Sequence, residues 1–404
     1  EKTGVSLEKA LPLARLEELY KAATAECKES SEVAEACHQY LVRLQQGDKG
    51  LLDLWHKITR VSMAEVYRIY RLLDVKLTEE HECGESFYRD MLAETVEAIR
   101  RSGSLVESEG AQCLFLDEFK SKEGNPLPVI VQKSDGGYNY ATFDLAAVRY
   151  RTAKLGAERI VYVTDARQAL HFKQFFAAAR HAGILANPDV KLEHVTFGAI
   201  LGEDGKPLKT RSGENVKLAE LLSEAIDKAY AVVNEKNPGL SEERKQEVAR
   251  QVGVGAIKYA DLAQNRNNDY VFSFDRMLAL NGNTAPYLQY AHARICSIFR
   301  RAGSDPDTFT APMRISQIEE RDLMIKLMEF GQTVVAVAAD LRPHILCNYL
   351  YELATCFSSF YDKCPVMSCE DQGLKASRLA VCNYTRRVLA FGLDLLGIAA
   401  PREM

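Results

Sequence analysis

Two short apolar runs constrain this chain more than anything else in it. Arg159-Ile-Val-Tyr-Val163 and His194-Val-Thr-Phe-Gly198 are each about five residues long, and helical patterns at 144–155 and 169–182 precede them. An apolar run this short, bounded by helices, predicts a strand buried on both faces. Strands that alternate with helices imply a parallel sheet, and ligands in such sheets sit beyond the carboxyl ends of the strands. The second run leads straight into Gly202-Glu-Asp-Gly-Lys-Pro-Leu-Lys-Thr-Arg-Ser-Gly213. Three glycines and a proline exclude a helix or strand interior there. Lys206, Lys209 and Arg211, with Thr210 and Ser212, offer charge and donors to phosphate oxygens. A solvated turn is the competing reading.

Upstream the pattern is helical: 7–46 as two helices with Ser30 and Ser31 at the second cap, then about 51–73. Trp55, the single tryptophan, reads as packing. Val75–Leu77 is briefly strand-like, and Phe87–Arg101 is helical. Residues 105–116 read as two strands joined through Glu109-Gly110, and Val129–Gln132 as another. After the glycine-rich loop, helices are expected at 216–234 and 241–266. Nearly everything beyond Met277 is helical, at 283–301, 316–340, 343–362 and 374–396, which reads as an all-α bundle.

Composition removes several function classes. The net charge of −5 does not announce a polyanion partner, although a local basic face can still serve one. Ten cysteines are scattered with no CxxC, so no zinc framework is legible, and a reducing compartment suits them. No run reaches the roughly 20 apolar residues of a membrane span. The phosphate-binding pattern G-x-x-x-x-G-K-[ST] is absent, as are paired catalytic carboxylates and a Ser/His/Asp arrangement.

Two constellations can carry chemistry. Tyr140 and Asp144 lie four apart, so on one helix they share a face, and Gln168 starts the helix after the first buried strand. The three can converge on a cationic polar ligand. The competing reading makes Asp144 a helix cap and Tyr140 a packing residue. In the bundle, Asn281-Gly-Asn-Thr-Ala-Pro-Tyr-Leu-Gln-Tyr290 leads into Arg294. There Tyr287, Gln289, Tyr290 and Arg294 mix rings with polar groups, as a surface for unstacked RNA bases does. Tyrosine-rich helix packing remains open beside it. His171, four residues into Gln168-Ala-Leu-His171, reads as an ordinary surface or core histidine.

Taken in order, these stretches resemble arginyl-tRNA synthetases, with the bacterial-type pattern the closer one. The resemblance rests on Gly84-Glu-Ser-Phe-Tyr88, Gly136-Gly-Tyr-Asn-Tyr-Ala-Thr-Phe-Asp144, Gln168–His171, Phe197-Gly198 and Asp204–Gly213. It continues through Val254-Gly-Ala-Ile-Lys-Tyr-Ala-Asp-Leu262, Asn281–Tyr290 and Leu396–Ile398, and covers essentially the whole chain. It implies a class I ligase that activates L-arginine with ATP and Mg2+ and transfers it to the 3′ end of arginine tRNA. It implies a multidomain α/β fold: an incomplete Rossmann-like nucleotide-binding catalytic core over 1–275, then an all-helical anticodon-binding domain over 276–404. Within the core it suggests a helical region at 1–104, the second half of the nucleotide fold at 105–215 and a helical connector at 216–275.

The resemblance assigns the arginine side chain to Tyr140, Asp144 and Gln168, and the ATP site to Phe197, Gly198, Lys206, Lys209 and Thr210. Lys209 and Lys206 are its catalytic cations. Tyr287, Gln289, Tyr290 and Arg294 face tRNA. It implies a cytoplasmic monomer with no membrane contact and no structural metal. One departure stands out. None of the eight histidines opens a His-Ile-Gly-His-type motif. The resemblance would place that motif, and a domain for the tRNA elbow, upstream of Glu1. The chain alone is then expected to be inactive, and a truncated form or a tRNA-binding partner protein is the alternative function.

Overall fold

The computed structural model describes residues 13–206, 208 and 217–404. The chain divides after Glu80 into two compact units.

The first unit is three helices, α1 (Leu13–Glu29), α2 (Ser31–Gln45) and α3 (Lys49–Leu72). Ser30 caps α2 through Val33 N, and Asp48 caps α3 through Leu51 N while holding Arg43 at 2.6 Å. Each cap satisfies a backbone donor that the first helical turn leaves over. No described side chain from 13 to 80 is fully buried, and Trp55 is only half-covered, edge-on to His56. Residues 75–78 carry no regular structure where a strand was expected, because the chain turns at Asp74 with φ 53° and no partner strand adjoins.

The second unit begins with 3-10 turns through Met91 and α4 (Leu92–Arg101), so the expected helix at 87–101 starts later than its pattern. An antiparallel sheet follows: β1 (Val106–Ser108), β2 (Ala111–Leu114) and β3 (Val129–Gln132). Glu109 and Gly110 both take positive φ at the β1–β2 turn, the left-handed geometry that two-residue hairpins need. Next come α5 (Tyr140–Ala153), β4 (Arg159–Val163), α6 (Ala169–His181) and β5 (Lys191–Val195). β4 and β5 pair in parallel, Arg159 opposite Lys191 and Val163 opposite Val195. β5 lies three residues earlier than its apolar run, since Lys191 and Glu193 are polar edge positions and Arg159 pairs with Glu193 across the ladder. One core gathers Val96, Ile99, Leu114, Val131, Leu145, Val148, Phe172 and Phe175 from these helices and sheets.

β6 (Ile200–Leu201) pairs in parallel with β7 (Tyr270–Val271), enclosing the antiparallel helices α7 (Leu218–Lys236) and α8 (Glu242–Leu262). Gly253 lets α8 touch the α7 backbone, where a Cβ would stand 2.8 Å from Ala225. After the short α9 (Phe274–Met277) the chain is a bundle: α10 (Ala285–Ala302), α11 (Ile318–Met328), α12 (Phe330–Asp340), α13 (His344–Lys363) and α14 (Gln372–Leu395). Its core runs from Leu288 and Phe299 through Leu350, Phe357 and Phe360 to Leu389 and Leu393. The single helix expected over 316–340 breaks at Glu329. The Tyr349 hydroxyl donates to Lys326 O at 2.8 Å, at the end of α11, while Phe330 turns between Tyr349 and Phe391. Among the described residues no helix is long and apolar enough to cross a membrane.

Candidate functional site

Asn139 starts α5 by accepting from Ala141 N, so Tyr140 is the first helical residue and Asp144 lies one turn in. Asp144 is therefore not a cap. Thr142, on the opposite face, donates to Val131 O at 2.5 Å and anchors the helix to β3. That anchor directs Tyr140 and Asp144 toward the start of α6. There His171 Nε2 lies 2.6 Å from Asp144 Oδ2, and the Tyr140 ring stands edge-on to His171 at 4.7 Å between centroids. Phe172 and Phe175 back the imidazole. Tyr140 is exposed, and so is Gln168, the N-cap residue of α6, whose side chain makes no capping hydrogen bond. The structure thus brings Tyr140, Asp144 and His171 together. The sequence reading passed over His171; its register with Asp144 spans 27 residues and a strand.

A cavity of about 430 Å³ opens beyond the carboxyl ends of β4 and β5, lined by Val163, Phe197, Gly198, Asp261, Arg266 and Tyr270 among others. Phe197 stands half-exposed at it. The backbone behind Phe197 is fixed: Gly198 N donates to Arg266 O at 2.7 Å, and Ala199 N to Asp269 Oδ1 at 2.6 Å. Arg266 in turn donates to Thr196 O and to Leu341 O after α12. Burial pushes the Asp261 carboxyl above its ordinary range, against the pull of the Tyr270 hydroxyl. A Cβ on Gly198 would stand 2.2 Å from Asn268 O. That neighbour is backbone and cannot rotate away. Gly198→Ala is expected to cost about 1–3 kcal/mol, read as a lower denaturation midpoint at unchanged slope. A variant as stable as the parent would mean that the 197–199 segment does not dock this tightly.

Lys206 lies in a turn between Gly202 and Leu208, its N–H on Asp204 Oδ1 and its carbonyl receiving Gly202 N. Lys209 and Thr210 lie outside the described residues, as do Arg211 and Ser212.

In the bundle the four expected surface residues separate. Tyr290 is exposed, Tyr287 is half-buried with its ring 5.8 Å from Tyr351, and the Arg294 guanidinium lies 4.2 Å over Tyr361. Spaced by three and four, these share one side of α10. Gln289 does not. It is fully buried, and its Nε2 donates to Gln251 O and Ala399 O at 3.0 and 2.8 Å. The expectation that Gln289 meets RNA is corrected: it ties α8 and the C-terminal segment to α10.

The parallel β4–β5 pair with its cavity, followed by a helical bundle, is the architecture of a class I aminoacyl-tRNA synthetase, and two family models divide the chain in the same way. Residues 2–274 match the family model of class I tRNA synthetases (R), catalytic domain, and residues 288–404 the DALR anticodon binding domain. An arginine–tRNA ligase of Cellvibrio japonicus is 48% identical over the whole chain, which covers 70% of its length. The Plasmodium falciparum arginyl-tRNA synthetase structure superposes with TM-score 0.79 at 31% identity, covering 93% of this chain and 62% of that one. The Thermus thermophilus arginyl-tRNA synthetase gives 0.76 at 26%, over 93% and 67%. The chain belongs to the arginyl-tRNA synthetase family. ATP, arginine and tRNA are the substrates this membership implies.

Proposed function

We propose that the chain recognises L-arginine through Tyr140, Asp144 and Gln168 and carries part of an arginine–tRNA ligase site in which ATP activates the amino acid. The observation that supports this most is the Asp144 carboxylate. His171 occupies Oδ2, which leaves Oδ1 and the exposed Tyr140 ring for a planar cation. A guanidinium fits such a site, donating to Oδ1 with a ring face beside it. Gln168 would orient the same group.

The adenine would lie against Phe197 and Gly198, using backbone atoms. Lys206, Lys209 and Thr210 would attend the triphosphate. The arginine carboxylate attacks the α-phosphorus and pyrophosphate leaves; a ribose hydroxyl at the tRNA 3′ end then attacks the adenylate carbonyl and releases AMP. The chain's contribution is positioning and charge stabilisation. Mg2+ would enter with the triphosphate, and Lys206 and Lys209 would add their charge to the phosphates. Tyr287, Tyr290 and Arg294 would meet tRNA. The working unit is a cytoplasmic monomer, with the catalytic core over 1–275, divided at 104 and 215, and the anticodon-binding domain over 276–404.

The test is charging. The intact protein, with labelled arginine, ATP and unfractionated tRNA, should yield acid-precipitable, alkali-labile label that depends on ATP. tRNA retained on a filter with no charging under any condition would leave a tRNA-binding protein and remove the ligase reading.

Two smaller effects follow from the geometry. His171→Ala should raise the arginine KM about tenfold with kcat nearly unchanged, as expected for the loss of one hydrogen bond to a charged group. His171→Gln, whose amide can still donate, should recover part of it. Equal loss in both KM and kcat would assign His171 to the fold instead. Tyr290→Ala should weaken tRNA retention roughly tenfold, since a base stacked on a ring is worth about 1–3 kcal/mol; unchanged retention would free this face of α10 from tRNA.

A further inference from the structure

The α1–α2 hairpin carries two thiols that nothing above uses. Cys27 lies in the last turn of α1 and Cys37 in the second turn of α2, with the single residue Ser30 between the helices. Their Sγ atoms are 3.6 Å apart, the Cys27 thiol donating to Cys37 Sγ. Cys37 is exposed and Cys27 half-exposed. We propose that Cys27 and Cys37 form a redox-active dithiol that closes to a disulfide by exchange with a glutathione-type disulfide and staples α1 to α2.

The geometry needs little movement. A disulfide holds its sulfurs at about 2.05 Å, so closure asks for about 1.5 Å, within reach of side-chain rotation across a tight helical hairpin. Contact with Cys37, and the slight burial behind it, push the Cys27 thiol up. The exposed Cys37 is therefore the attacking sulfur and Cys27 the resolving one. Cys37 thiolate attacks one sulfur of glutathione disulfide and releases a glutathione thiolate. Cys27, deprotonated to solvent, attacks Cys37 Sγ in the mixed disulfide and releases the second. Two protein thiols are oxidised and one glutathione disulfide is reduced to two glutathiones.

Five of the other cysteines are shielded from exchange. Cys113, Cys296, Cys347, Cys364 and Cys382 are buried, with burial raising Cys347 and Cys382 to about 12. The staple also has something to act on. With no fully buried side chain among the described residues from 13 to 80, the hairpin has little core to resist opening, and thinly packed helices open at low free-energy cost. Cross-linking residues this close in sequence restricts the open ensemble most directly in α1 and α2.

The experiment equilibrates the full chain in glutathione buffers of graded potential, blocks free thiols by alkylation and digests with trypsin without reductant. Cleavage after Lys21, Lys28 and Arg43 separates the two cysteines. The expected product is peptide 22–28 joined to 29–43, two hydrogens lighter than their sum, appearing with a single midpoint. Amide exchange across 13–45 should slow in the oxidised form. Cys37→Ser should abolish the joined peptide and leave glutathione on Cys27. Exposed Cys83, free of a partner thiol, reports that the buffer reacts. If Cys83 takes up glutathione while Cys27 and Cys37 stay separately alkylated, or each carries its own glutathione at every potential, the dithiol proposal is overturned.

Discussion

Asp144→Ala raises the arginine KM of the intact enzyme by roughly 100-fold or more, with the ATP KM nearly unchanged. Truncating one partner of a charged, hydrogen-bonded pair costs about 2–5 kcal/mol, and each 1.4 kcal/mol is tenfold. Asp144 is the one acidic side chain of α5, so no second carboxylate of that helix can replace it. Asp144→Asn should recover little. Its amide keeps the shape and the His171 contact but supplies no charge to a guanidinium. Arginine-dependent ATP–pyrophosphate exchange, run across arginine concentrations, reads the effect. The thermal midpoint serves as the folding control, because Asp144 is a third exposed and its removal leaves the Thr142 anchor intact. An unchanged arginine KM in a folded variant would move the guanidinium away from α5.

The largest loss of stability is expected in the bundle, at Arg378. Its Nε donates to Glu320 Oε1 at 2.7 Å and Nη1 to Pro365 O at 2.7 Å, with the two charged side chains 4% and 1% exposed. Glu320 Oε2 accepts from Ser316 N, Ser316 Oγ and Gln317 N, closing the capping box that starts α11. Arg378→Ala leaves that carboxylate buried beside neutral donors alone, and is expected to cost about 3–5 kcal/mol. Paired replacement, Glu320→Gln with Arg378→Met, should recover much of this, because the expense lies in stranding one charge rather than in lacking both.

The same pair sets a pH dependence. Burial by itself raises the Glu320 carboxyl; Arg378 and the Ser316 and Gln317 donors outweigh burial and hold it below its usual range. A lowered folded pKa means that the unfolded chain takes up the proton first as pH falls. The contribution is complete above the unfolded value near 4.5 and is lost as pH drops through the lower folded value. Denaturant unfolding of parent and Glu320→Gln at pH 7 and pH 4 reads this: the gap between them should narrow at the lower pH. A gap that widens would contradict the sign.

Local pattern carried a good part of the molecule. The five residues of β4 stand where their apolar run put them, the β1–β2 turn is at Glu109-Gly110, and the last third is helical. These features depend on neighbours in sequence: burial periodicity, cap chemistry and the φ that glycine tolerates. The ordered motifs from Gly84 to Ile398 were enough to read the family, and Tyr140 with Asp144 at one helical face follows from a spacing of four.

What lay beyond the sequence depends on groups far apart in it. β6 and β7 are two residues each, too short for any period to mark them, and exist because residues 70 apart pair. Gly198 matters because Asn268 O presses against it. The helix breaks at Glu329 because Tyr349 reaches Lys326 O. Gln289 faces inward because the C-terminal Ala399 O waits there, where spacing alone offered either side of α10. His171 became part of the site only when α6 folded back to bring its imidazole to Asp144. By itself the sequence determined the helices, the position of β4 and the kind of protein, since each is written in short-range pattern; the expected burial of β4 on both faces is corrected, because in its two-stranded sheet Val161 and Val163 stand exposed. Tertiary structure alone decided which polar side chains stay open to solvent and which serve the core, because that choice is made by contacts between residues that no local period relates.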